Sequence, residues 1–310
     1  MKFRGVGATT HIDRHYMKMS KEALDSAARQ VNNSGRVPAV GLDHDITVMP
    51  LGKVIEAKVE PLEDGEYQLV IVQEIFDNYE TIILADGTKL IEQKSASDNR
   101  PFVREEKRPD KIELSYDMVN FASKDDLREF ISEVKEEMDF QERIIGRKSL
   151  IPDPEIIIHL TEGAFALLVG NKIVNKVADK LLDNVLDDVN KLYSFVKKVI
   201  VGMARYSVPK NRPVTYVFII LDEICIELIA RSNNADFIIN SISKESLEKM
   251  MKKLTDLKER FSIDKIQFVL NNDGDWEFNF LLTKTGTVIG TERSLSKRAK
   301  KLELLFGDKD

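Results

Sequence analysis

The sequence predicts an α+β protein, and three observations carry that prediction. Short β-rich runs punctuated by Gly, Pro, Asn and Asp dominate residues 1–121, a long helical pattern fills 163–204, and strand and helix patterns alternate from 214 onward. The expected layout is an N-terminal, mostly-β, barrel-like domain with helices over 1–161. A long helix and a smaller α+β domain for regulation or interaction follow over 162–310. A chain of 310 residues exceeds the roughly 100–200 residues of an ordinary domain, which is why two are expected.

Each element has a local reason. Ser20 precedes Glu22, Leu24, Ala27, Ala28 and Val31 at helical spacing, and Asn32-Asn33-Ser34-Gly35 stops that helix. Val37–Leu42, Val54–Val59 and Tyr67–Gln73 read as strands, the last two joined by a turn at Glu63-Asp64-Gly65-Glu66, and Asp86-Gly87 centres a further hairpin over 82–91. Lys94 to Asp110, rich in Ser, Asn, Pro and charge, reads as a mobile loop. Lys111–Phe121 returns to strand character, with Ile112, Leu114, Tyr116 and Met118 on one face and Glu113, Ser115 and Asp117 on the other. Ser123 caps a charged amphipathic helix, and Glu155–Leu160 is the last strand before the expected boundary.

In the second half, Ala178, Leu182, Val185, Val189, Leu192, Val196 and Val199 follow alternating four- and three-residue steps. That is a coiled-coil seam, and a homo-oligomer through the 174–200 helix is one reading of it. Leu181, Leu186, Phe195 and Ile200 widen the stripe, which favours a helix laid on the chain's own sheet. Beyond Pro209 and Pro213, strands are expected at 214–221, 223–230 and 266–270, with a helix over 243–261. Asn272-Asp273-Gly274-Asp275 is a hairpin turn, and Lys297–Lys301 reads as a solvated helix face.

Composition narrows the function. Hydrophobic residues at 43% and charged residues at 32% suit a water-exposed globular chain, and a net charge of −6 argues against a general nucleic-acid partner. The longest apolar runs fall far short of the ~20 residues that cross a bilayer, so no membrane partner is expected. The start, Met1-Lys2-Phe3-Arg4, lacks the apolar core of a secretory signal, and the expected location is the cytoplasm. Cys225, the single cysteine, reads as a small buried strand residue. No G-x-x-x-x-G-K-[ST] loop occurs, no cofactor is expected, and the partner is a protein substrate or binding protein.

Four histidines, His11, His15, His44 and His159, bound any imidazole chemistry. His11, Asp13 and His15 alternate and would share a strand face, but no second cluster completes a metal site, and none is expected. Gly41-Leu42-Asp43-His44-Asp45 and the later Glu113-Leu114-Ser115 offer a base and an alcohol, and a serine becomes a nucleophile only with a base in hydrogen-bond reach. Without that meeting, His44 is a turn histidine between aspartates and Ser115 an exposed strand serine.

Thr9-Thr10-His11-Ile12-Asp13-Arg14-His15, Leu42-Asp43-His44-Asp45, Pro50-Leu51-Gly52-Lys53-Val54 and Leu114-Ser115 together resemble the phage prohead (capsid maturation) serine protease family over about the first half of the chain. The resemblance implies a β-barrel shared with herpesvirus assemblin, with His44 as base, Ser115 as nucleophile, and Asp13 or His159 as third member. The implied activity is a cytoplasmic serine endopeptidase with a C-terminal partner-recognition or assembly domain, in capsid maturation or reused in bacterial defence against phage. The alternative is a non-catalytic binding or oligomeric scaffold on a degenerate protease-like fold.

Overall fold

The computed structural model describes residues 1–12, 18–42, 45–104, 109–146, 153–170 and 185–306. It is a mixed α+β protein, with seven α-helices and fourteen strands among the described residues. The chain divides into two compact units, one of Met1–Arg104, Phe261–Ile266 and Asn279–Asp310, the other of Glu105–Arg260 and Gln267–Phe278. The boundary expected at 161/162 falls inside the second of these. Among the described residues no helix is long and apolar enough to cross a membrane.

In chain order the elements are β1 (Lys2–Thr9), α1 (Lys21–Asn33), β2 (Ala39–Val40), β3 (Gly52–Pro61), β4 (Tyr67–Ile75), β5 (Tyr79–Ile83) and β6 (Lys89–Gln93). Next come β7 (Glu113–Tyr116), α2 (Lys124–Lys135), β8 (Gln141–Ile144), β9 (Glu155–Leu160), α3 (Glu162–Val169) and α4 (Val185–Tyr206). Then follow β10 (Val214–Leu221), β11 (Cys225–Ser232), α5 (Ala235–Ser241), α6 (Lys244–Lys258), β12 (Ile263–Leu270), β13 (Trp276–Thr283), β14 (Val288–Thr291) and α7 (Glu292–Phe306).

In the first unit, β1, β4, β3 and β2 form an antiparallel sheet in that order. Ser20 caps α1 by accepting from the Ala23 amide at 3.2 Å, and Leu24, Ala28 and Val31 on one stripe bury against Val54, Ala57 and Leu69 of the sheet. Apolar burial of this kind drives the docking, at about 25 cal/mol per Å² removed from water. A second antiparallel run, β5-β6-β14-β13, faces Met49, Phe76, Phe102 and Leu295 with Phe280, Leu282 and Val288.

Two expectations are corrected in this unit. Residues 94–104 of the loop expected to be mobile are tied down: Lys53 donates to the Asp98 and Arg100 carbonyls at 2.8 and 2.7 Å, and Glu74 accepts from Ser95 and Ser97 and from the Ala96 amide. Arg36 and Arg104 then both reach the buried Asp264. The Lys297–Lys301 face is not simply solvated either. Arg298 is buried, Lys301 is half-buried on Asp45 at 3.2 Å, and Lys297 donates to Thr47.

In the second unit, β8 runs parallel to β7, β7 antiparallel to β9, β9 parallel to β10, and β10 antiparallel to β11. The continuous helical pattern expected over 163–204 is interrupted. Thr161 caps α3, and Gly170 ends it in a left-handed conformation, φ +69°, that a side chain would disfavour. Leu192, Phe195, Val196, Val199, Ile200 and Met203 of α4 are all buried, and the Tyr216 hydroxyl of β10 donates to the Ile200 carbonyl at 3.1 Å. Of the seam, Leu192, Val196 and Val199 are thus buried within the chain and Val189 is half-buried, while Ala178, Leu182 and the Val185 side chain lie outside the described residues. Cys225 is buried on β11 among Val217, Leu221 and Ile229.

Candidate functional site

β7 carries Ser115 between two partners. In the ladders Glu113 stands opposite His159 on β9 and Gln141 on β8, and Ser115 stands opposite Ile157 and Arg143. Directly opposed residues project to the same side of a sheet, so the register alone gathers an alcohol, a carboxylate, an imidazole and a guanidinium. Leu114 and Tyr116 take the other side and are buried, with the Tyr116 hydroxyl donating to Glu142 at 2.6 Å. Burial first, and the adjacent Glu142 carboxylate second, push the Tyr116 phenol well above its ordinary range.

One oxygen organises the cluster. Glu113 Oε1 accepts the Ser115 hydroxyl at 3.2 Å and lies 3.6 Å from both His159 Nδ1 and Arg143 Nη1. Ser115 is 1% exposed and His159 3%, whereas the Glu113 side chain keeps 21% of its surface. In a serine hydrolase the imidazole stands between alcohol and carboxylate, so that it can take the alcohol proton. Here the carboxylate stands in the middle. The Ser115 hydroxyl donates to Glu113, and β7 is laddered on both sides, so its backbone amides serve the sheet rather than an oxyanion.

The other expected site residues are distributed as follows. His159 meets the Ser115 cluster through Glu113; His44, Asp13 and His15 lie outside the described residues. His11 is exposed and tethered to the β3–β4 turn, Nε2 to Asp64 at 2.7 Å, with the Thr9 hydroxyl 3.3 Å from Nδ1. Asp45, one of the two aspartates flanking His44 in the sequence, is engaged by the Thr47 amide at 3.0 Å, the Thr47 hydroxyl at 2.6 Å and Lys301. Burial works against its charge, but Thr47, Lys297 and Lys301 outweigh it and hold the carboxyl below its ordinary pKa.

Among the described residues no group of three or more His, Cys, Asp or Glu is placed to hold a metal ion. By residue type Glu113 also qualifies as a third catalytic member, sharing the polar strand face with Ser115 but as readily paired with a lysine; the signal for its central place is its two-residue spacing from the serine on a strand. Comparison of the chain with protein-family models, with curated proteins and with solved structures found no match.

Proposed function

We propose that the chain is a non-catalytic protein-binding module with a protease-like N-terminal half. On this reading a barrel-like region over 1–161 precedes a long helix and an α+β region, and the protein works in the cytoplasm. The observation that carries the proposal is the state of Ser115: buried, and donating its proton to Glu113. A nucleophile for peptide bonds has to meet a substrate carbonyl, and an alcohol sealed within a sheet cannot do so. The surface offered to a partner is β5, which ends its run with β6 as its paired strand. Tyr79 is 52% and Ile83 68% exposed along it, the kind of edge that accepts an extended segment by strand addition.

A second reading, the prohead-type serine endopeptidase of capsid maturation or phage defence, is favoured by the convergence of Ser115, Glu113 and His159. It requires His44 as base. A fluorophosphonate probe separates the two. The expected result is a folded protein unlabelled at Ser115; labelling at Ser115 that disappears in His44→Ala would replace the binding module by the peptidase.

A further inference from the structure

We infer that β5 of one chain pairs antiparallel with β5 of a second copy, about a two-fold axis at Thr81. The inference names the partner of the β5 edge and so rests on the reading of the chain as a binding module. β5, Tyr79-Glu80-Thr81-Ile82-Ile83, ends its sheet and has β6 on one side only. The Leu84 amide donates to the Thr88 carbonyl at the closed end of that hairpin. Hydrogen-bonded and non-bonded pairs alternate along an antiparallel ladder, so Ile82 and Glu80 turn their backbone groups to β6. Tyr79, Thr81 and Ile83 turn theirs outward.

Exposed sheet edges are ordinarily blunted by charge, proline, bulges or brevity. Among the described residues the other sheet ends follow that rule: β1 carries Lys2, Arg4 and a bulge between Val6 and Ala8, β8 is Gln-Glu-Arg-Ile, and β2 has two residues. β5 does not. It has no Lys, Pro or Gly, its register with β6 is unbroken, and its one charge, Glu80, is ion-paired with Lys94 at 2.9 Å. Tyr79 and Ile83 are 52% and 68% exposed. Opposite Tyr79 and Thr81 on β6 stand the buried Gln93 and Ile91, so an added strand extends a face that is already buried.

The order of side chains fits a second copy. Antiparallel pairing centred on Thr81 sets Tyr79 opposite the partner's Ile83, Thr81 opposite the partner's Thr81 and Ile83 opposite the partner's Tyr79. Aromatic with β-branched, and Thr with Thr, are favoured cross-strand pairs. Charge selects this register, because Glu80 meets the partner's Ile82, whereas an axis at Glu80 would set two carboxylates face to face. A slip of one residue would turn the apolar side chains to opposite faces. Every outward N–H and C=O of the three residues then faces a complementary group, and because the contact is isologous it closes at two copies. A five-residue strand pair buries far less than the roughly 800 Å² per partner of a standard interface, so the dimer exchanges readily and forms at high protein concentration.

The test is sedimentation of the full chain from micromolar to millimolar concentration, with amide hydrogen exchange at both ends of the range. A monomer–dimer equilibrium is expected, in which exchange at Tyr79, Thr81 and Ile83 slows with concentration while Glu80 and Ile82, already bonded to β6, stay as they were. Thr81→Lys, at an exposed position, sets like charges across the axis and should weaken association at least tenfold. An equimolar mixture of Thr81→Lys and Thr81→Glu should recover it. A chain that stays monomeric at millimolar concentration, a dimer whose three outward amides exchange as in the monomer, or a folded Thr81→Lys that associates like the parent overturns the pairing. The exchange pattern of the parent decides the matter even where a variant does not fold. These measurements read β5 and the fluorophosphonate probe reads Ser115, so a monomer with unlabelled Ser115 overturns the pairing and leaves the binding module standing.

Discussion

Lys53 gives a quantitative prediction because it is a fully buried ammonium, 0% exposed, with two carbonyl acceptors and a Phe102 ring 5.2 Å from Nζ. Burial lowers its pKa from 10.5 to about 8, against the opposing pull of Asp98 and Glu74 and with the help of Arg100. The neutral amine keeps two N–H donors, enough for the Asp98 and Arg100 carbonyls, so deprotonation costs no hydrogen bond. The unfolded chain keeps the proton up to 10.5 and the folded chain releases it near 8. Between those values the unfolded state binds more protons, and the contribution of Lys53 to stability rises with pH.

The gap corresponds to about 3 kcal/mol of penalty present below pH 8 and relieved above 10.5. Lys53→Met keeps the apolar stem, abolishes the titration and leaves two buried carbonyls unpaired, at about 1–3 kcal/mol each. Near pH 7 the lost bonds and the relieved desolvation largely offset one another. By pH 10 the parent should have gained about 2–3 kcal/mol over the variant. Urea unfolding of both proteins from pH 7 to 10 measures this as a difference, which cancels the titration of other groups. A difference that is flat with pH, or one that moves in favour of Lys53→Met as pH rises, would refute the reasoning.

Two further outcomes follow from packing and exposure. Gly202→Ala places a Cβ 2.5 Å from the Phe130 ring at the α4–α2 contact and should destabilise by about 1–3 kcal/mol, read from the urea midpoint. His11→Ala removes an exposed ion pair with Asp64 and should leave the thermal midpoint unchanged within error, since such pairs are screened by water.

Locally encoded features were the legible ones. α1 announces itself through Ser20 and its apolar spacing, and the β3–β4 and β12–β13 turns through Gly65 and Gly274, both at positive φ. β8, Gln-Glu-Arg-Ile, was not legible, because its strand state comes from pairing with β7 and not from propensity. The burial of Arg298 depends on Pro50 and Gln93, more than two hundred residues away, a distance over which charge patterning carries no information. At the candidate site, alternation placed Glu113 and Ser115 on one face. It could not show that β7 is flanked on both edges and that the polar face is also covered.

The direct measurement of the central claim is a double-mutant cycle on Ser115→Ala and Glu113→Gln, followed by equilibrium unfolding. If the Ser115 hydroxyl is a structural donor to the Glu113 carboxylate, the two changes couple by about 1 kcal/mol. Additivity within about 0.3 kcal/mol would show that the alcohol is not committed to Glu113, and the account of Ser115 as a sealed structural serine would fall.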